Sequence, residues 1–242
     1  MNQPNLTPEQ KWEQATLTNN FIFYRVMRDH PDACQQLIEM LLNIEIEKME
    51  MHSEEVINTG ELPERARYYS SLITLDSLKS GQKYGELCES HVIFLCLEDV
   101  FKNKLPICTF ENICIEDGKT KLNDKDYKHF FYAPLCAKMI KDENVKSFFE
   151  FLISNHAKTN YTNNLKNYVM DAKLNLNYKR QFMEWERQRT YDFDAGKEAK
   201  AVEDARSFYS NGASIELIAK SLNMTIERVK EIVKDVEVSS EA

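Results

Sequence analysis

The stretch Asn58-Thr59-Gly60-Glu61-Leu62-Pro63-Glu64-Arg65-Ala66-Arg67-Tyr68-Tyr69 decides how this chain is read. Asn-Thr-Gly is turn chemistry, since asparagine and glycine tolerate backbone angles that other residues avoid. Pro63 suits the first turn of a helix, where its missing N–H is no loss. The spacing then predicts a long helix to about Lys79, ended by Ser80-Gly81, with Tyr68, Leu72, Leu75 and Leu78 as its core-facing stripe.

Upstream, residues 20 to 43 read as helical, with Pro31 near the start of a second helix whose stripe is Cys34, Leu37, Ile38, Leu41 and Leu42. Ile44, Ile46, Met49 and Met51 alternate with charged residues and predict a half-buried strand. Downstream, His91 to Leu97 is a β-rich apolar run expected in the middle of a sheet, buried on both faces. Residues 106 to 115 alternate and Tyr127 to Tyr132 is aromatic-rich, so both read as strands. From about Asp142 the pattern is helical, which closes the sheet by about residue 135.

The chain ends on a separable pattern. Ala199 to Tyr209 predicts a helix stopped by Asn211-Gly212. Ser214 caps a second with Ile215, Ile218 and Leu222, and Thr225 caps a third with Ile226, Val229 and Ile232. The last two resemble a helix-turn-helix, whose second helix can enter a DNA major groove. The expected organisation is a core over 1–140, a helical region over 141–195 and the tail over 196–236.

With 242 residues, 43% hydrophobic and 29% charged, the chain can bury a sizeable core. The longest apolar run, Val92 to Leu97, is far short of a membrane span, and the first residues lack signal-peptide layout, so a cytoplasmic protein with no membrane partner is expected. A net charge of -8 argues against indiscriminate coating of nucleic acid and leaves room for local basic patches. The six cysteines form no Cys-x-x-Cys clip and read as free thiols. The five histidines are scattered without metal-ligand spacing, and the six glycines make no phosphate loop.

Three segments carry a family resemblance. Thr18 to Met27, Asn58 to Leu75 with its order of Pro, Arg, Arg, Tyr, Tyr, and Val92 to Cys96 followed by Leu105 to Asn112 together resemble the recombination-promoting nuclease (Rpn) and putative transposase family, a branch of the PD-(D/E)XK nucleases. That resemblance implies an α/β restriction-endonuclease-like core, a mixed sheet flanked by helices. It also implies a Mg²⁺-dependent DNA endonuclease that promotes recombination, with DNA as its partner. In relatives an Asp on one strand and a Glu-x-Lys or Glu-x-Gln on the next hold the metal, both before the Asn-Thr-Gly-Glu-Leu-Pro run. Hard cations such as Mg²⁺ require such carboxylate oxygens.

Here the run follows almost directly on Met49 to Ile57, so a two-strand unit with its turn, roughly 20 residues, is missing around 52–60. Sliding Ser53-Glu54-Glu55 onto the Glu-x-Gln position leaves no suitable Asp upstream. Catalysis is therefore expected to be lost or strongly reduced, with no intact catalytic set, no metal ligands and no cofactor in this chain. Glu54 and Glu55, with Glu39, are the weak candidates for a rebuilt site, but neighbours on a strand point to opposite faces. The DNA-contact candidates are Arg65, Arg67 and Lys79, and Arg228 and Lys230 in the tail, where Glu227, Glu231 and Asp235 add negative charge. The alternatives are surface charge for the first three, a docking or dimerising unit for the tail, and a non-enzymatic DNA-binding or oligomerising protein overall. A decayed gene product is a third reading.

Overall fold

The computed structural model describes residues 6–46, 61–78 and 81–236. Its chain divides into two units, Lys11–Tyr178 and a second of Lys179–Ala242 with Met1–Gln10.

The larger unit is mixed α/β. Helices α1 (Pro8–Gln14), α2 (Asn20–Asp29) and α3 (Pro31–Leu42) come first. The side chain of Asn19 accepts from the N–H of Ile22 and starts α2; Pro31 opens α3, and left-handed Asn43 ends it. Next come α4 (Leu62–Ser77), β1 (Ser90–Cys96), β2 (Ile107–Phe110), β3 (Asp126–Tyr132), α5 (Ala133–Met139), α6 (Glu143–Ser154) and α7 (Asn160–Leu174). The strands order as β1-β3-β2, with β1 parallel and β2 antiparallel to β3. Adjacent residues of β3 point to opposite faces. Phe130 packs with Val92, Phe94 and Cys96 against Leu62 and Ala66 of α4, while Phe131 stacks on Phe149 of α6 at 5.8 Å. Helices thus cover both faces. Beneath α6, the Tyr161 hydroxyl of α7 donates to the Ala33 carbonyl of α3 at 2.8 Å.

Four expectations change. The apolar run at residues 91–97 forms a strand, but among the described strands β3 is central and β1 lies at one end, its burial alternating along its length. Its side chains therefore meet the core on one face. The inner face of α4 is Leu62, Ala66 and Ser70 at four-residue spacing, whereas Tyr68 and Leu75 are 55% and 73% exposed. Small Ala66 and Ser70 let the helix backbone lie close to the sheet, which the larger residues of the expected stripe would prevent. Of residues 106 to 115, Ile107–Phe110 pair with β3; Ile113 continues only as a bridge to Lys121. Ile44 to Ile46 are in no regular element, and Met49 and Met51 lie outside the described residues.

The second unit holds most of α8 (Leu176–Ser210), then α9 (Ile215–Leu222) and α10 (Ile226–Val233). Here the sequence reading holds in detail: Gly212 takes positive φ, Ser214 caps α9 and Thr225 caps α10. The first tail helix is the end of the much longer α8. Ala205 of α8, Ile218 and Ala219 of α9, and Val229, Ile232 and Val233 of α10 form one buried cluster. No helix among the described residues is long and apolar enough to cross a membrane.

Candidate functional site

The basic residues of α4 occupy its first two turns. The Arg65 guanidinium donates to the Tyr69 hydroxyl at 2.8 Å and lies 5.6 Å from that ring's centroid. Tyr69 in turn sits 6.3 Å from Phe94 of β1, so the arginine is half-buried on the flank of the core. Arg67 is exposed. Lys79, Glu54 and Glu55 lie outside the described residues. Glu39, their expected companion, accepts from the Gln35 amide at 2.9 Å and the Ile46 N–H at 3.0 Å, and these bonds hold its carboxyl below the usual range.

In the tail, Arg228 is held between Glu198 of α8 at 3.0 Å and Glu231 at 2.7 Å. The residue nominated to touch DNA is thus already neutralised within its own unit. Lys230 is exposed on the same helix.

Two polar clusters on the sheet were not nominated from sequence. On the α4 face, the Asp126 carboxylate accepts from the Ser70 hydroxyl at 2.8 Å and is ion-paired with Lys128, two residues along β3. Both side chains are largely covered, 26% and 19% exposed. Ser90, the register partner of Asp126, is buried with its hydroxyl unbonded among the described residues. An acid-x-Lys pair on a strand is thus present, but it comes after the Asn58–Pro63 run, and its carboxylate is occupied by its own lysine.

On the opposite face, one chain of contacts crosses all three strands. Glu89 lies 3.4 Å from Nε2 of His91, Nδ1 of His91 lies 3.1 Å from Nε2 of His129, and Nδ1 of His129 lies 3.1 Å from the Thr109 hydroxyl. Tyr127 stacks on His91 at 5.1 Å. Burial, and then the neighbouring His91, push His129 down to about 4. His91 and His129 are thus far apart in sequence but not in space: the parallel register sets His129 beside Ile93, and His91 two residues away on the same face. The alternation of each strand was legible; the strand order that brings them together was not.

The described residues offer no carboxylate set for a Mg²⁺ ion, and Glu54 and Glu55 lie outside them. Among the described residues no three His, Cys, Asp or Glu side chains converge as a metal-ligand group, and the described strands carry a single carboxylate, Asp126. Among the thiols, burial raises Cys96 to about 11 and Cys136 to about 12, which makes both poor nucleophiles. Comparison with known proteins finds no match, whether to family models, curated proteins or solved structures.

Proposed function

We propose that the protein descends from a transposase-associated, metal-dependent DNA endonuclease of the PD-(D/E)XK type, built on a restriction-endonuclease-like core, and that it no longer cleaves DNA. One observation carries the loss of cleavage. Leu42 ends α3 and Leu62 begins α4, and the sequence between them contains no aspartate. In the family the chain resembles, that interval delivers the Asp and Glu-x-Gln strands. The order of elements around it supports the ancestry: paired helices, then the Arg-Arg-Tyr-Tyr helix, then a mixed sheet with helices on both faces. Asp126 and Lys128 do not substitute, since a carboxylate already paired with an ammonium and a hydroxyl has little left to offer a cation.

The test is nicking of supercoiled plasmid by folded protein in Mg²⁺ or Mn²⁺ against EDTA. No nicking in either metal is expected. Metal-dependent nicking that disappears in a Glu54→Ala, Glu55→Ala double variant would establish a rebuilt carboxylate site and defeat the proposal.

A second reading, DNA binding without cleavage, is favoured by the exposure of Arg67 beside Arg65 on a helix packed on the sheet. Phosphate contacts release counterions, so such binding weakens steeply with salt and is indifferent to EDTA. The balanced charge of α10 and the engagement of Arg228 favour a packing or docking role for the tail.

A further inference from the structure

The sheet has an open edge longer than β2 itself. The Tyr132 N–H donates to the Pro106 carbonyl, and Cys108 and Phe110 follow in register on β3. Antiparallel alternation then turns the N–H and C=O groups of Ile107 and Thr109 away from β3. Beyond β2 the chain bends into a ribbon, where Leu122 N–H donates to the Asn112 carbonyl and Cys114 N–H to that of Thr120. The even-numbered residues again face inward, so Ile107, Thr109, Glu111 and Ile113 line one continuous outer edge. Among the described residues no strand pairs with it.

This edge lacks the usual protection. Edge strands are normally blunted by charges, prolines or bulges. Here the one charged residue on it, Glu111, is tied to Lys121 at 2.6 Å, while Leu105, Ile107, Phe110 and Ile113 are exposed.

We propose that this edge pairs antiparallel with the same edge of a second copy of the chain, about a two-fold axis at Thr109. Thr109 then faces its own counterpart in a pair whose outward groups bond each other. Leu105 falls opposite Ile113 of the second copy, burying apolar surface at both ends. The charges agree as well. Lys102 and Lys104 lie before β2, Glu116 and Asp117 beyond it, and antiparallel pairing brings this lysine pair of one copy to this acidic pair of the other. Hydrogen bonds from Thr120 and the Lys119 and Thr120 N–H groups keep Asp117 ionised, with its pKa lowered to about 2. A parallel pairing would set like charges together, so the pattern selects a closed, two-fold dimer.

Sedimentation of the full chain over a range of concentrations tests this. A reversible monomer–dimer equilibrium is expected. Lys102→Glu with Lys104→Glu should weaken dimerisation about tenfold or more, and adding Glu116→Lys with Asp117→Lys should restore it. Thr109→Pro should abolish it, because proline removes an outward N–H and leaves the backbone bonds of β2 to β3 in place, losing only the Thr109 hydroxyl's bond to His129. Where the proline variant fails to fold, the surface charge swap decides. A wild-type chain that stays monomeric throughout, or a dimer indifferent to the charge reversal, overturns the proposal.

Discussion

Nδ1 of His91 lies 3.1 Å from Nε2 of His129, and that contact joins β1 to β3 within a polar line that crosses the sheet. Glu89, 3.4 Å from Nε2 of His91, flanks the pair on one side. The Thr109 hydroxyl, 3.1 Å from Nδ1 of His129, flanks it on the other. This line of contacts ties β1, β3 and β2 together.

Acid should loosen this tie. Buried His129 has its pKa lowered to about 4, below the ordinary histidine value near 6.5. Between those values the unfolded chain takes up a proton that the folded chain refuses, so stability is full above about pH 6.5 and falls as the pH drops towards 4. The expected loss is on the order of 2 kcal/mol: each tenfold change in proton affinity is worth about 1.4 kcal/mol, and screening by solvent at the partly open edge of the cluster reduces the total. Urea unfolding at several pH values, compared with His129→Gln, checks it. The variant should be weaker at neutral pH and show a shallower fall in acid; equal slopes would remove His129 as the cause.

Asp126 should matter more to stability than any surface pair. Asp126→Ala strips a largely covered Lys128 of its partner and leaves the Ser70 hydroxyl without an acceptor. A loss of about 2 to 3 kcal/mol is expected, below the range for fully buried pairs because both side chains keep some exposure. Replacing both, Asp126→Ala with Lys128→Met, should recover part of it, since no unpaired charge remains. A double variant as unstable as the single one would show that packing, not charge, is what Asp126 supplies.

How much of this was legible in advance depended on whether the signal was local. Ser214 and Thr225 announce α9 and α10 because a cap hydroxyl acts within three residues of itself, and both are found capping. Pro31 and Pro63 mark helix starts for the same reason. The α4 stripe misled because Tyr68 and Leu75 are apolar but exposed, while a helix lying close on a sheet needs the small residues Ala66 and Ser70 inward. The place of β1 at one end of the sheet, the meeting of His91 with His129 and the pairing of Ser70 with Asp126 all rest on strand order and on residues far apart in the chain. No window of sequence holds those relations.

DNA affinity, where present, should depend on α4 rather than on Arg228. Arg67 is exposed, while Arg228 would have to abandon Glu198 and Glu231 to reach a phosphate. Arg67→Ala is expected to weaken binding across unrelated sequences and to reduce the salt slope by about 1, whereas Arg228→Ala should change neither. Fluorescence anisotropy in EDTA at several salt concentrations measures both. A drop in affinity with Arg228→Ala and none with Arg67→Ala would move the DNA contact to the tail.

The tail should lose its fold through its own core. Ile218 and Val229 are buried at the centre of the cluster that α8, α9 and α10 share, so truncating either leaves a void that neighbours held by two short capped helices cannot fill. Ile218→Ala is expected to cost about 2 to 4 kcal/mol and Val229→Ala somewhat less, because the cost follows the volume removed. Ser214→Ala should cost about 1 kcal/mol by removing the acceptor for the Leu217 N–H. Hydrogen exchange separates this from global unfolding: amides of α9 and α10 should lose protection in all three variants while those of β1 and β3 keep theirs. Equal loss in the sheet would mean that the two units unfold together, and the tail could no longer be treated as a unit with its own core.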